Sequence, residues 1–225
     1  MEIKYHGHAT FELADGDTSV LIDPFLTGNP KATIAAEDLQ PTTILVTHGH
    51  GDHVGDVVPI AKRTGAPVLA IVELAGELGE EDGVNALDIN IGGTVQFDWG
   101  WAKMVPAWHT STTPKGTVNT PAGYLINFRD TIIYHLGDTG LFSDLQLVGK
   151  RHPIDYALMC IGGHYTMDRV DAVDAAELIG AKTVIPCHYN TFPAIETDVQ
   201  AFKSDVESAT TSNVVVLDPG QTHEV

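Results

Sequence analysis

Positive charge is scarce in this chain. Lys and Arg number 12 in 225 residues against 30 Asp and Glu, a formal charge of −18. A surface of that sign repels nucleic acid and anionic membrane, so neither is expected as a partner. Anionic substrates are repelled as well unless the site carries its own positive charge, which bound metal would supply. Cysteine is scarce too. Cys160 and Cys187 make no disulfide framework and no Cys-x-x-Cys pair. Each closes an apolar run, Tyr156–Cys160 and Val184–Cys187, as buried reduced thiols do. No apolar stretch nears the roughly 20 residues of a membrane span. Met1 to His6 carry no basic region followed by an apolar one, so a cytoplasmic location is expected. Repeats, low-complexity blocks and a Pro/Gly/Ser-rich linker are all lacking, so residues 1–225 read as a single domain. Apolar residues make up 43%, enough for a real core.

Short strands are expected at Ile3–Tyr5, Thr10–Ala14, Ser19–Asp23 and Thr43–Thr47. Val54, Val57, Val58 and Ala61 fall at helical spacing, and Gly65 closes that helix. Further strands are expected at Pro67–Val72, Ala86–Ile91, Thr94–Asp98 and Ala102–Ala107, with a short helix over Glu73–Glu81. The second half reads as strands Gly123–Phe128 and Thr131–His135, a helix Leu141–Val148, strand Tyr156–Cys160, helix Val170–Ile179 and strand Val184–Pro186. A last helix holds Val199, Phe202 and Val206 before a strand Asn213–Leu217. Strand-rich runs alternating with helices, twice over, suit two packed sheets with helices outside. A single mixed sheet with helices on both faces fits the periodicity nearly as well.

Histidine is what the chain has in quantity: 11 residues, almost as many as Lys and Arg together. Three imidazoles and a carboxylate fall within Thr47-His48-Gly49-His50-Gly51-Asp52-His53, just past the apolar Ile44–Val46. Neutral imidazole and carboxylate are the usual ligands of Zn, Fe or Mn. His48 and His50 are two apart and point the same way in extended backbone. The two glycines allow a tight turn that aims Asp52 and His53 at a second point. A merely polar turn with solvated histidines is a poor account of so dense a pattern.

Four more apolar strands end on a ligand-type residue: Val105–Trp108 before His109, Ile132–Tyr134 before His135 and Asp138, Met159–Gly163 before His164, and Val184–Cys187 before His188. Singly, each is more often a hydrogen-bonded strand end. Beside the cluster, His109, Asp138 and His188 become candidate ligands. His135 reads as buried support, and His164 as a rim acid, a substrate contact or a solvated loop residue. His8, in the turn Gly7-His8-Ala9, reads equally as a site residue or a structural one, and His6 as structural. Asp23 is placed to take the distal N–H of a metal-bound histidine. The long segment Thr110–Pro121 and the segment Phe25–Asn29 are expected as cleft walls. Lys115 and the acidic run Glu77–Asp82 are expected to be solvated.

The order His48, His50, Asp52, His53, His109, Asp138, His188 resembles the metallo-β-lactamase superfamily. The flanks Tyr5–Phe11, Gly137–Gly140 and His188–Pro193 resemble its branch of bacterial metal-dependent hydrolases, near ascorbate-6-phosphate lactonase and the N-acylphosphatidylethanolamine phospholipase D-like enzymes. The resemblance implies an α/β (α+β) fold, the four-layer αβ/βα sandwich with its site at one edge. It implies two divalent metal ions, zinc first and Mn, Fe or Ni as alternatives. His48, His50 and His109 would hold one ion, Asp52, His53 and His188 the other, with Asp138 between them. The implied reaction is hydrolysis of a small-molecule ester, lactone or phosphoester by a metal-bridging hydroxide. Asp52 and Asp138 carry it, with His164 and His8 as further catalytic candidates. Most β-lactamases of this fold lack the bridging aspartate, so Asp138 disfavours antibiotic hydrolysis. Flavodiiron enzymes place Glu where His50 stands, and the nuclease branches carry binding arms that this chain lacks. The rival readings are a mononuclear iron oxidoreductase on the same ligands and a non-catalytic metabolite-binding module. A homo-oligomer is compatible with the sequence.

Overall fold

The computed structural model describes residues 1–225. The first sheet is built from β1 (Glu2–Gly7), β2 (Thr10–Asp15), β3 (Thr18–Ile22), β4 (Thr43–Leu45), β5 (Val68–Ile71) and β6 (Ala86–Ile89). The second takes β7 (Thr94–Phe97), β8 (Gly100–Pro106), β9 (Ala122–Phe128), β10 (Thr131–His135), β11 (Tyr156–Cys160), β12 (Thr183–Cys187) and β13 (Asn213–Val214). A last strand, β14 (Thr222–Glu224), returns to the first sheet beside β1. Each sheet begins as an antiparallel meander and ends as a parallel run, β3 to β6 in one and β10 to β13 in the other.

Six helices flank the sheets: α1 (Gly51–Val54), α2 (Val57–Thr64), α3 (Val72–Gly76), α4 (Leu145–Arg151), α5 (Arg169–Ile179) and α6 (Val199–Ala209). Val57, Ile60 and Ala61 of α2 belong to one continuous buried cluster with Leu21 and Phe11 of the first sheet and Tyr124 and Ile126 of the second. Ala172, Ala175, Ala176 and Ile179 of α5, with Phe202 and Val206 of α6, bury the outer face of the second sheet. This gives the αβ/βα sandwich rather than one mixed sheet. Tyr124, wholly buried in β9, crosses between the sheets and donates its hydroxyl to the carbonyls of Val46 and Leu69.

Four local expectations need correction. The helix read through Val54 to Ala61 is two helices, because Asp56 leaves the helical path. Its buried carboxylate accepts the N–H groups of Leu26 at 2.7 Å and Thr27 at 2.9 Å. The Leu141–Val148 helix starts only at Leu145, and Asn213–Leu217 pairs as a strand only over two residues. The acidic run is not wholly solvated. Glu77 is buried and accepts the Thr113 hydroxyl at 2.6 Å, while Lys115 pairs with Asp82 at 2.7 Å. Together they fasten the 110–121 segment to the first sheet's side.

Every chemically charged turn lies past the end of a strand at one edge of the sandwich, where main-chain bonds join the two sheets. Ala122 N–H donates to the Thr47 carbonyl at 3.1 Å, and His188 N–H to the His8 carbonyl at 2.6 Å. The His135 ring adds a bond to the Ala9 carbonyl at 3.1 Å. Away from that edge α4 rests on α5 so closely that a Cβ on Gly149 would collide with the Ile179 carbonyl oxygen. Overpacking of this kind costs about 1–3 kcal/mol. Gly149→Ala should therefore lower the melting temperature by several degrees. Gly76→Ala, at the end of α3 with open space around its Cβ position, should leave it unchanged or raised. Paired thermal melts check both; equal midpoints would refute the close α4–α5 contact.

Candidate metal centre

The site is assembled from short turns, and their backbone is strained. His8, Asp23, His164 and His188 all hold left-handed φ, at 58°, 46°, 51° and 53°. Non-glycine residues there cost of order 1–3 kcal/mol each, and such strain gathers at functional sites. The His48–His53 turn leaves β4, and α1 carries Asp52 and His53. The 110–121 segment clamps that turn: Gly49 N–H donates to Ser111 Oγ at 2.9 Å and Asn119 Oδ1 at 3.1 Å. A Cβ at Gly49 would lie 2.5 Å from Asn119 Nδ2, so a side chain there would push Asn119 out of its place in the clamp.

At the centre is Asp138, which is only 3% exposed. Its Oδ2 lies 3.0 Å from His188 Nε2, 3.4 Å from His53 Nε2, 3.7 Å from His109 Nε2 and 3.9 Å from His48 Nε2. His48 Nε2 is 3.1 Å from His50 Nδ1, and His188 Nε2 is 3.9 Å from Asp52 Oδ2. Yet His53 Nε2, both His188 nitrogens and Asp138 Oδ1 are buried without a hydrogen-bond partner. Orphaned polar atoms are rare and costly unless something else satisfies them. Here ligand-type atoms cluster within 4.8 Å of one another while several have no hydrogen-bond partner, which fits a cation between them.

The ligand-type atoms fall into overlapping groups, each within 4.8 Å: His48, His50 and His109; His48, His53 and Asp138; His8, Asp52, His53 and His188. All seven candidate ligands named from the sequence are thus brought together. Asp23 lies beneath them, wholly buried. Its Oδ2 sits 2.8 Å from His53 Nδ1 and 2.6 Å from the Thr47 hydroxyl, and its Oδ1 accepts Thr47 N–H at 2.8 Å. That fixes the His53 proton on Nδ1 and turns Nε2 toward Asp138.

His8 is buried and stands behind Asp52, as a site residue that supports a candidate ligand. Its Nε2 lies 3.0 Å from Asp52 Oδ2 and its Nδ1 2.9 Å from Thr191 Oγ1. Burial, with His188 beside it, pushes its pKa down to about 4 against the opposing pull of Asp52. The neutral ring then donates to Asp52 and accepts from Thr191. His164 is exposed and does not line the cleft; its ring packs edge-on at 4.4 Å against Tyr165, which does line it. His135 is buried support, its Nδ1 accepting Gly137 N–H at 3.1 Å. Lys115 is held by Asp82 and Glu81 instead of facing the site. Thr191, Ser111 and Asn119 were not singled out from the sequence, and Glu77 was read only as part of a solvated run. Each acts through a partner far along the chain, and no local pattern marks it.

A cleft of about 640 Å³ opens onto His50, Asp52, His109, Asp138 and His188. A larger cavity, about 720 Å³, lies between β7, β8 and α4 and contains none of them. Burial would raise the Asp138 pKa, but His188 and His53 outweigh it and hold the carboxylate ionised. Burial likewise lowers the pKa of His48, His50 and His109, which keeps those rings neutral, the form that binds metal. His53 goes the other way: burial opposes its charge, yet Asp138 and Asp23 raise its pKa well above the ordinary value.

Residues 2–188 match the family described as "Beta-lactamase superfamily domain". The chain belongs to the metallo-β-lactamase superfamily. It is 44% identical over 230 residues, spanning both chains fully, to a UPF0173 metal-dependent hydrolase of Pelotomaculum thermopropionicum. It is 49% identical over 204 residues, 91% of this chain and 90% of the other, to a UPF0173 metal-dependent hydrolase of Thermoplasma volcanium. Among solved structures, Igni18, a metallo hydrolase from Ignicoccus hospitalis, superposes with a TM-score of 0.90 at 35% identity over 100% of this chain and 98% of that one. The same fold, at a TM-score of 0.77 and 15% identity over 100% of this chain and 54% of the other, occurs in CmlA, a diiron β-hydroxylase from Streptomyces venezuelae.

Two outcomes follow from the Asp23–His53–Asp138 line. The two carboxylates favour a cation at His53 Nε2, and a metal ion entering there displaces a proton. Metal loading near pH 7 should release about one proton from His53, and affinity should fall as pH is lowered. Asp23→Ala should weaken metal binding 10- to 100-fold. Calorimetric titration in buffers of different ionisation enthalpy reads both. No proton release, with Asp23→Ala binding like the parent, would refute this role for the pair.

Proposed function

We propose that this protein is a dinuclear metal-dependent hydrolase of a small-molecule ester, lactone or phosphoester. The observation that carries the reading is Asp138: a buried carboxylate with four imidazole nitrogens within 3.9 Å of one oxygen and no hydrogen-bond partner on the other. His48, His50 and His109 would hold one ion, and Asp52, His53 and His188 the other. Asp138 would be shared between them. Zinc is the expected ion, with Mn, Fe or Ni as alternatives that the same donors accept. Divalent ions held there would lower the pKa of a water toward neutrality and polarise the scissile carbonyl or phosphoryl oxygen.

The remaining steps belong to the chain. Asp138 would supply the negative charge that two neighbouring cations need to sit close together. Asp52, whose side chain is 31% exposed toward the cleft, accepts a hydrogen bond from the attacking water and orients it. Burial opposes ionisation of Asp52, but the hydrogen bond from His8 and the neighbouring His53 overcome it and keep the group a carboxylate. His8, steadied by Thr191, positions Asp52 rather than touching substrate. The cleft's volume suits a small molecule. Nucleic acid remains an unexpected partner at a charge of −18. No helix is long and apolar enough to cross a membrane. The buried free thiols of Cys160 and Cys187 support a reducing, cytoplasmic setting.

The test pairs Asp138→Asn with Lys115→Ala. Asp138→Asn should lose metal at both positions and lower turnover at least ~10² below Lys115→Ala. His188→Ala should reduce metal content toward one ion per chain and lower the melting temperature, since bound metal stabilises the folded state. Elemental analysis, melts and an ester, lactone and phosphoester screen read these outcomes. Equal turnover of Asp138→Asn and Lys115→Ala at saturating metal would overturn the shared-carboxylate role. One iron per chain with oxygen uptake would instead support an oxidoreductase.

A further inference from the structure

Apart from the ligand-type residues, the cleft is lined by Thr110, Tyr165, Phe192, Pro193 and Ala194. No Lys or Arg lines it. On the segment that follows His109, the lone basic residue Lys115 is already engaged with Asp82 at 2.7 Å and Glu81 at 3.5 Å. The ion site can neutralise charge at the reacting bond, but nothing in the walls can neutralise charge on the rest of a substrate. An anionic tail would instead meet Asp52 and the field of a chain carrying −18.

The walls offer apolar surface in its place. Tyr165 is 57% exposed, and Phe192 stands in the same lining with its ring half-buried. Large aromatics left in water beside a reactive centre are surface waiting for a partner. They are also held in place. Phe192 packs at 5.5 Å against His8 and at 6.4 Å against Phe25. Tyr165 is braced by the perpendicular ring of His164, whose backbone is itself in the left-handed region. A wall fixed before binding loses little entropy when it is covered.

We infer that the cleft selects neutral acyl substrates, esters or lactones, carrying an aromatic or branched apolar group that lies between Tyr165 and Phe192, with Tyr165 as the specificity residue. The inference rests on the hydrolase reading and narrows it away from phosphomonoesters. In the reaction, the oxygen of water bonds to the acyl carbon and the acyl C–O bond breaks. The departing alkoxide or phenoxide takes one proton of the water, and the acid formed releases the other. Tyr165 takes no part in that exchange; it holds the apolar group.

The test uses the metal-loaded full chain and two matched substrates, p-nitrophenyl butyrate and mono-p-nitrophenyl succinate. They share the reacting bond and leaving group and differ in the charge of the acyl tail. The neutral ester should have the higher kcat/KM by at least about tenfold, and p-nitrophenyl phosphate should be poorer still. Tyr165→Ala should raise KM for the butyrate about tenfold, the effect of losing one aromatic face, with kcat little changed. Tyr165→Phe should restore it. Methyl acetate, too small to reach the wall, should be indifferent to both changes. Binding of the unreactive N-benzylbutyramide, followed by calorimetry, should weaken by the same factor in Tyr165→Ala and recover in Tyr165→Phe. Preference for the succinate or the phosphate, or unchanged amide binding in Tyr165→Ala, would overturn the inference. If the amide binds as described while no ester or lactone is turned over, the hydrolase reading fails and the selectivity of the cleft stands.

Discussion

The structure depends on keeping one nearly buried carboxylate charged at the floor of a cleft. Asp138 is nearly inaccessible, and an isolated ion in such a place would neutralise or unfold its surroundings. Imidazoles from three parts of the chain gather around it: the turn after β4, the end of β8 and the end of β12. Burial keeps three of these rings neutral and leaves their lone pairs free. Asp138 and Asp23 together favour positive charge at His53, raising its pKa above the ordinary value against the effect of burial. Orphaned polar atoms, clustered imidazoles and a buried negative charge are thus aspects of a single electrostatic requirement.

That requirement explains the architecture of the edge. Two sheets contribute to one point, so their relative position must hold to within a fraction of an ångström. Main-chain bonds from Ala122 to Thr47 and from His188 to His8 tie the sheets together beside the ligands. Tyr124 makes a deeper tie by bonding across the core to the Val46 carbonyl just before the histidine turn and to the Leu69 carbonyl of β5. Strained φ at His8, Asp23 and His188 is sustained by these surrounding contacts. The 110–121 segment, held by Glu77 and Asp82 on one side and by Gly49 on the other, completes the enclosure.

The legible parts of the sequence were those in which chemistry is local. His48 to His53 place four donors in six residues, and Thr131–His135 and Tyr156–Cys160 show their strand character within their own spans. Helix α5 begins with Asp168 accepting the N–H groups of Val170 and Asp171, a signal contained in one turn. What was not legible depends on distant partners. Asp56 breaks a helix that periodicity favours because its carboxylate serves Leu26 and Thr27, some thirty positions earlier. Thr191 meets His8 across 183 positions, and Asn119 meets Gly49 across 70. Strand β14 is three largely exposed residues with no alternation, formed only because the β1 edge is there to pair with. The place of His8 behind Asp52 likewise emerges only when the β1–β2 turn and α1 are brought together.

The central claim, that two cations share Asp138, is tested most directly by anomalous diffraction from crystals of the metal-loaded protein, recorded on both sides of the metal's absorption edge. The account predicts two peaks per chain about 3.5–4 Å apart. One should be surrounded by His48, His50 and His109, the other by Asp52, His53 and His188, with a carboxylate oxygen of Asp138 in reach of each. A single peak, or two peaks that leave Asp138 outside both coordination shells, would contradict it.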